Sequence, residues 1–193
     1  DDFTGPPRLA NWICRTGDLA AALANAPEAE GGWEVTTLIG SAVIHDGAQF
    51  HMWYGGGDVQ GFEVGYATSP NGTTWTRHPG NPVMEPGPAG SFDDFTIFPT
   101  SVVYEGGLFK MWYSASKSAP GGGLSESIAY ATSTDGVSWT KHPTPVLEAG
   151  EEWENISANM PWVVYDGTSY HMWYVGYQDS GGLVPNIAIG YAV

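Results

Sequence analysis

Short apolar runs, separated by acid-glycine or asparagine-glycine pairs, recur along this chain at a nearly constant interval. Phe50-His51-Met52-Trp53-Tyr54 returns as Phe109-Lys110-Met111-Trp112-Tyr113 and again as Tyr170-His171-Met172-Trp173-Tyr174. Ahead of each copy stands a second apolar run closed by a turn: Ala42-Val43-Ile44-His45-Asp46-Gly47, Ser101-Val102-Val103-Tyr104-Glu105-Gly106, and Trp162-Val163-Val164-Tyr165-Asp166-Gly167. From Asp46 to Glu105 is about 59 residues and from Glu105 to Asp166 about 61, the period of a repeated supersecondary unit.

Each unit reads as four strands. In the first, strand A covers about 40–45, B about 48–55, C about 62–68 and D about 74–84; in the second the strands cover about 99–104, 107–114, 127–133 and 138–147. The third starts at Trp162 and runs through strand C, Ile187 to Val193. Asp-Gly or Glu-Gly joins A to B, while Asn71-Gly72 and Asp135-Gly136 join C to D; tight antiparallel hairpins favour such dipeptides. A four-stranded antiparallel meander repeated radially is a propeller blade. The predicted fold is therefore all-β, a β-propeller of about three blades in a single domain spanning 1–193.

Residues 1–32 read as a lead-in, with a strand near 9–15 and a short helix over 18–26 that Asp18 caps and Pro27 stops. Asn11-Trp12-Ile13-Cys14-Arg15 resembles Thr74-Trp75-Thr76-Arg77 and Ser138-Trp139-Thr140-Lys141. This N-terminal strand is thus expected to supply the fourth strand of the last blade. Three blades are fewer than the usual four to eight of a closed ring. Unpaired strand edges invite partners, so a homo-oligomer or higher self-assembly through blade edges is expected, a six-bladed dimer being the simplest closed form.

Composition narrows the ligand. Six basic against twenty-one acidic residues give a formal charge of -15 over 193 residues, which repels phosphate backbones and anionic membranes. With only Arg8, Arg15 and Arg77 available to clamp an anion, a neutral ligand fits better. Nine Trp and ten Tyr in a Gly-rich chain match extracellular carbohydrate-active proteins, and a secreted, soluble, processed chain is expected. No apolar run approaches the roughly 20 residues of a membrane helix. Cys14 is the sole cysteine, which excludes an intrachain disulfide and a Cys-rich metal centre. No cofactor is expected; acid-rich loops leave room for Ca²⁺, but the Asp-x-Asp-x-Asp-Gly spacing is absent. No Gly-x-Ser-x-Gly elbow occurs either.

The segments Tyr66 to Trp75 and Tyr130 to Trp139 follow Tyr-Ala-Thr-Ser-x-Asp/Asn-Gly-x-x-Trp. With Asn81-Pro82-Val83 and the Met-Trp-Tyr runs, they make the chain resemble the five-bladed β-propeller glycoside hydrolase superfamily of arabinanases, fructosidases and levansucrases. The resemblance covers nearly everything from Trp33 to Val193. It implies an axial funnel in which acids from the innermost strands act on a glycosidic bond, at an Asp directly before a Pro opening strand A and at a Glu two residues before one. Here Phe98 and Met160 precede Pro99 and Pro161, with Ile97 and Asn159 one step further back.

Other acids must then be considered. The tight A–B and C–D turns share one end of the blades, so the B–C and D–A connections share the other, where loops carry function. The D–A connections align as Trp33-Glu34, Phe92-Asp93 and Trp153-Glu154; the B–C connections supply Asp58, Glu63, Glu126, Asp179 and Asn186. The candidate catalytic acids are Asp93, Asp94, Glu126 and Glu154, because a glycosidase needs two carboxyl groups about 5–10 Å apart. An acid at the same place in every repeat also suits a blade-to-blade hydrogen bond. Trp33, Trp153, Asn159 and Trp162 are the candidate sugar contacts, whereas Trp53, Trp112 and Trp173 are expected to pack between blades. His51 and His171 share a repeat position with Lys110, which favours packing or hydrogen bonding there over metal ligation. The function expected is a glycosidase-like propeller that binds and hydrolyses neutral glycans. The alternative is a structural, self-assembling propeller that lacks the hydrolase carboxylates.

Overall fold

The computed structural model describes residues 33, 37–58, 60–118, 124–150, 152–179, 181 and 185–193. They form three blades. Blade I is β1 (Thr37–His45), β2 (Phe50–Asp58), β3 (Gly61–Ser69) and β4 (Thr76–Arg77), an antiparallel sheet in that order. Blade II is β5 (Thr96–Glu105), β6 (Leu108–Ser118), β7 (Leu124–Ser133) and β8 (Thr140–Lys141), with β9 (Leu147–Glu148) also on β7. Blade III is β10 (Ser157–Tyr165), β11 (Tyr170–Gln178) and β12 (Asn186–Ala192), preceded by a 3₁₀ turn at Glu152–Glu154. A parallel bridge between Ser157 and Glu126 joins blades II and III. The expected lead-in strand, helix and Cys14 lie outside the described residues, as does Glu34.

The meander and its turns follow the sequence reading, but the strand limits do not. The inner strands begin at Thr37, Thr96 and Ser157, earlier than expected, because each ladder continues past a β-bulge. The bulges fall between Ile39 and Ser41, Pro99 and Ser101, and Asn159 and Trp162. One extra residue breaks the alternation there and hides the strand's first half from a pattern reading. The outer strands are shorter than expected. The segment 74–84 keeps Thr76–Arg77 and an isolated bridge from Met84 to Val64; the segment 138–147 divides into Thr140–Lys141 and Leu147–Glu148. His78-Pro79-Gly80-Asn81-Pro82 and His142-Pro143-Thr144-Pro145 interrupt them, since proline has no N–H for the ladder.

Trp53 and Trp112 pack between blades as expected, whereas Trp173 is 43% exposed and makes its ring contacts with His171 and Tyr191 of its own blade. Trp53 is fully buried, and its indole N–H donates to the carbonyl of Gly136 in the C–D turn of blade II at 2.8 Å. The indole of Trp139 donates to the same oxygen at 3.1 Å. Gly136 holds φ +76°, and a Cβ there would stand 3.0 Å from the Trp53 ring, so glycine serves both the turn and the contact. Trp53 also meets Phe109, which stands near the start of strand B of blade II, at 5.3 Å. Trp112 meets Tyr170, in the corresponding place in blade III, at 5.2 Å. Between the inner strands of blades II and III, Ser101 Oγ accepts the N–H of Val163 at 2.9 Å and donates to its carbonyl at 3.3 Å.

The A–B turns of blades I and III are locked by their acids. Asp46 accepts the N–H groups of Ala48 and Gln49 and stands 3.0 Å from His51, whose other ring nitrogen bonds the Tyr66 hydroxyl at 2.6 Å. Asp166, His171 and Tyr191 repeat this set in blade III. In blade II Glu105 pairs with Lys110 and with the Tyr170 hydroxyl of the next blade. Burial, then the charge of Asp46, raises the Tyr66 hydroxyl to about 12. The acids move the other way. Asp46 is held well below the usual range by the Gln49 and Ala48 amides and then His51. Glu105 falls to about 2 through Lys110 and then Tyr170, and Asp166 to about 2 through the Ser169 amide and then His171.

A carboxyl whose folded pKa is depressed stabilises the fold above its unfolded value near 4 and loses that contribution as pH falls through the folded value. The urea midpoint is therefore expected to hold from pH 7 to about 5 and to drop steeply between about pH 4 and 2. The combined D46N/D166N variant should flatten part of that drop. A midpoint unchanged down to pH 2 would remove these turns from the acid response.

Candidate functional site

The ends of β2, β3, β5 and β7 opposite the tight turns enclose three adjoining cavities. The first, about 260 Å³, is lined by Trp33, Asp58, Gln60, Glu63, Pro86 and Phe95, among others. The second, about 360 Å³, shares Asp58, Gly61 and Phe95 with the first and adds Thr96, Phe98, Leu124 and Glu126. The third, about 320 Å³, shares Glu126 and adds Phe92, Lys117 and Glu148. Asp58 and Glu126 are the residues through which the three make one groove.

The β2–β3 hairpin places its acids by register. Asp58 is opposite Gly61, and Glu63 stands two residues further along β3, so both side chains leave the same face of the hairpin. Such diagonal neighbours are separated by about 7–8 Å. Burial, then the nearby charge of Glu85, raises the Glu63 carboxyl above the ordinary value. Asp58 accepts the Gln60 N–H at 2.7 Å, which fixes the turn. The neighbouring Phe62 N–H donates to Thr96 Oγ1 at 2.8 Å and ties this hairpin to the start of β5.

Glu126 is held by blade III. Its β7 position pairs with Ser157, and Asn159, on the same face of β10, donates from Nδ2 to Glu126 Oε2 at 2.6 Å. Asn159 is only 3% exposed, and its Oδ1 has no hydrogen-bond partner in the structure. Ser116 Oγ, opposite Glu126 across the β6–β7 ladder, is likewise buried and unpartnered. Each such group costs about 1–3 kcal/mol when it stays unsatisfied.

No family model matches the chain. An uncharacterized protein of Mycobacterium tuberculosis is 30% identical over 117 residues, covering 59% of this chain and 39% of that protein. A 1,2-beta-oligomannan phosphorylase of a Thermoanaerobacter species is 29% identical over 101 residues, covering 51% and 34%. The matches thus span less than half the length of these curated relatives. Among solved structures, one titled a glycoside hydrolase superposes with a TM-score of 0.63 and 25% identity, over 83% of this chain and 47% of that one. A family 117 glycoside hydrolase from Zobellia galactanivorans gives a TM-score of 0.67 at 16% identity, over 85% and 53%. The chain has the fold of the glycoside hydrolase β-propellers.

Within this propeller, the residues named from sequence separate into two groups. Glu126, Asn159 and Trp33 belong to the groove or touch it. Trp33 also stacks on Tyr54 at 6.1 Å and lies over Gly56, where a Cβ would stand 2.5 Å from the ring. Asp93, Asp94, Glu154, Trp153 and Trp162 line none of the three cavities. Trp153 packs on Tyr174 and over Gly176 and Gly190, while Trp162, 63% exposed, stands on the outer face of blade III. Glu154 is buried, with Oε2 unpartnered. Asp94 accepts the Ser118 and Gly90 N–H groups, which lower its carboxyl in that order. Among the described residues, no group of three or more His, Cys, Asp or Glu is arranged to hold a metal ion.

Asp93 is held in a buried ion pair. It is 2% exposed, accepts Ser91 Oγ at 2.9 Å and pairs with Lys141 Nζ of β8 at 2.6 Å. Lys141 also donates to the Glu85 carbonyl. A Cβ on Gly87 would stand 2.2 Å from Asp93 Oδ1, so the loop wraps the carboxylate closely. Burial, then the charge of Asp93, pushes up the Tyr113 hydroxyl beside it. K141M, which leaves that buried charge unpaired, is expected to cost about 3 kcal/mol. In urea unfolding, D93N/K141M should recover most of the loss. A single K141M change within about 0.5 kcal/mol of the parent would show that the pair is not needed.

Proposed function

We propose that this propeller is a secreted glycosidase that binds a neutral glycan in the groove between Trp33 and Glu126 and hydrolyses it, with Glu63 as the acid and Asp58 as the base. The observation that carries this reading is the placement of both carboxyls on one face of the β2–β3 hairpin, in one cavity beside Trp33. With both acids lining the same cavity, a sugar between them can meet a proton donor on one side and a water held by the base on the other, the arrangement of an inverting hydrolase. Glu63, whose burial favours the protonated form, gives its proton to the leaving oxygen. Asp58 takes a proton from the water as its oxygen bonds to the anomeric carbon and the glycosidic bond breaks.

Trp33 and Phe95 offer apolar surface to a sugar face, and Glu126, oriented by Asn159, accepts hydrogen bonds from hydroxyl groups. Among the described residues no Lys or Arg lines the cavity of Asp58 and Glu63, which favours water over phosphate as the acceptor. The name of the Thermoanaerobacter relative makes β-1,2-linked manno-oligosaccharides the first substrates to try, followed by arabinan and fructan oligomers.

A second reading, a propeller that binds without cleaving, is favoured by Phe98 and Met160, which stand where the resemblance implies carboxylates. One experiment separates the two. On a substrate from that panel, E63Q is expected to lower kcat by about 100-fold or more while leaving KM and the circular dichroism spectrum unchanged. Binding with no turnover by the parent protein supports the second reading. Turnover unaffected by both E63Q and D58N overturns the assignment of the acids.

A further inference from the structure

The second cavity of the groove differs in kind from the two beside it. Phe62, Phe95, Phe98 and Leu124 line it, whereas its carboxylates, Asp58 and Glu126, are those it shares with the flanking cavities. Among the described residues, no Lys, Arg or His lines it. The hydroxyl of Thr96 already accepts the Phe62 N–H at 2.8 Å. An apolar chamber of about 360 Å³ thus lies between two acid-bearing ones.

The fold does not account for these apolar side chains. Among the described residues, the three buried apolar clusters contain none of the four. Phe62, Phe95 and Phe98 are part-exposed, and Leu124 is 50% exposed. Phe62 stands four residues before Tyr66, which pairs with Trp53; Glu126 stands four before Tyr130, which pairs with Trp112. The two therefore hold one repeat position, apolar in blade I and charged in blade II, so blade packing does not require a ring there.

The walls of the chamber are fixed. Gly61, at φ +144°, passes so close to the entry of β5 that a Cβ would stand 2.3 Å from the Phe95 carbonyl oxygen, and a Cβ on Gly55 would stand 3.0 Å from the Phe98 Cβ. The Phe95 N–H donates to the Ser116 carbonyl at 3.1 Å. All the lining residues belong to blades I and II or to the connection between them, so both walls come from blades that pack on each other within the chain.

We infer that the second cavity is a subsite for an apolar substituent, of the size of one aromatic ring, borne by the glycan in the groove, which rests on the groove being a glycan site. An apolar cavity of about 150 Å³ holds a benzene ring, so this one has room for a ring together with the atoms that link it to a sugar. The occupant is set by the neighbours. Sugar hydroxyl groups find acceptors in Asp58 and Glu126, whereas an unsubstituted sugar in the chamber itself would turn hydroxyl groups onto phenylalanine. An anionic substituent has no cation to meet there, and a purely apolar molecule leaves both carboxylates unused.

Equilibrium binding by titration calorimetry, with phenyl and methyl β-D-mannopyranoside and with phenyl and methyl α-L-arabinofuranoside, tests the subsite without requiring turnover. In the parent protein at least one phenyl glycoside is expected to bind at least about 10-fold more tightly than its methyl counterpart, the gain from burying one ring. L124S, at an exposed position, should lower that ratio about 3-fold, and F62S/L124S should bring it near one, with unchanged circular dichroism spectra. Equal affinity within each pair, or no binding of either phenyl glycoside, overturns the inference. So does a phenyl preference that both variants retain. Binding of a phenyl glycoside without any turnover contradicts hydrolysis alone, whereas turnover of manno-oligosaccharides with no phenyl preference contradicts the subsite alone.

Discussion

The contact on which this structure depends is the strand-B tryptophan seated on the following blade. In blade I it combines three effects at one side chain: burial of a large ring, an edge-to-face meeting with Phe109, and an indole N–H given to the Gly136 carbonyl. The hydrogen bond matters because a buried indole N–H without an acceptor would oppose the burial that drives the contact. It also fixes the register between blades. The acceptor is a turn carbonyl held at left-handed φ, and another position would not bring that oxygen to the ring.

That register places the groove. With blade I set against blade II at the turn end, the β2–β3 hairpin and the first residues of β5 meet at the opposite end, joined through Phe62 and Thr96. Blade III is set against blade II through Ser101 and the Ser157–Glu126 bridge, which brings Asn159 to Glu126. The groove acids therefore come from strand ends on different blades, while Asp93 and Glu154, which precede the inner strands of blades II and III, are buried in the scaffold. Asp93 shows why: a carboxylate buried this deeply needs a cation, and Lys141 supplies one from the outer strand of the same blade.

The sequence carried the blade repeat openly, since the Met-Trp-Tyr run, the acid-glycine turns and their spacing are all local. The packing role of Trp53 and Trp112 and the hydrogen-bonding role of His51 followed from the same periodicity. What was not legible depends on non-local geometry. The inner strands run beyond their bulges because partners across the ladder hold them there, and the proline-rich outer strands keep only a few ladder bonds. Asp93 and Lys141 stand 48 residues apart, and nothing in either segment announces the pair. Trp33 and Trp153 share a repeat position and both lie over glycines, at Gly56 and Gly176, yet of the two only Trp33 lines a groove cavity. Asp58 and Glu63 were visible as acids of a connection; their common face became apparent only from the hairpin register.

The central claim is that the tryptophan contact couples neighbouring blades energetically. A double-mutant cycle on Trp53 and Phe109, each changed to Leu, tests it directly by urea unfolding. The account predicts a coupling of about 1 kcal/mol between the two rings, beyond the sum of their separate effects. Strictly additive losses, with a coupling near zero, would contradict it.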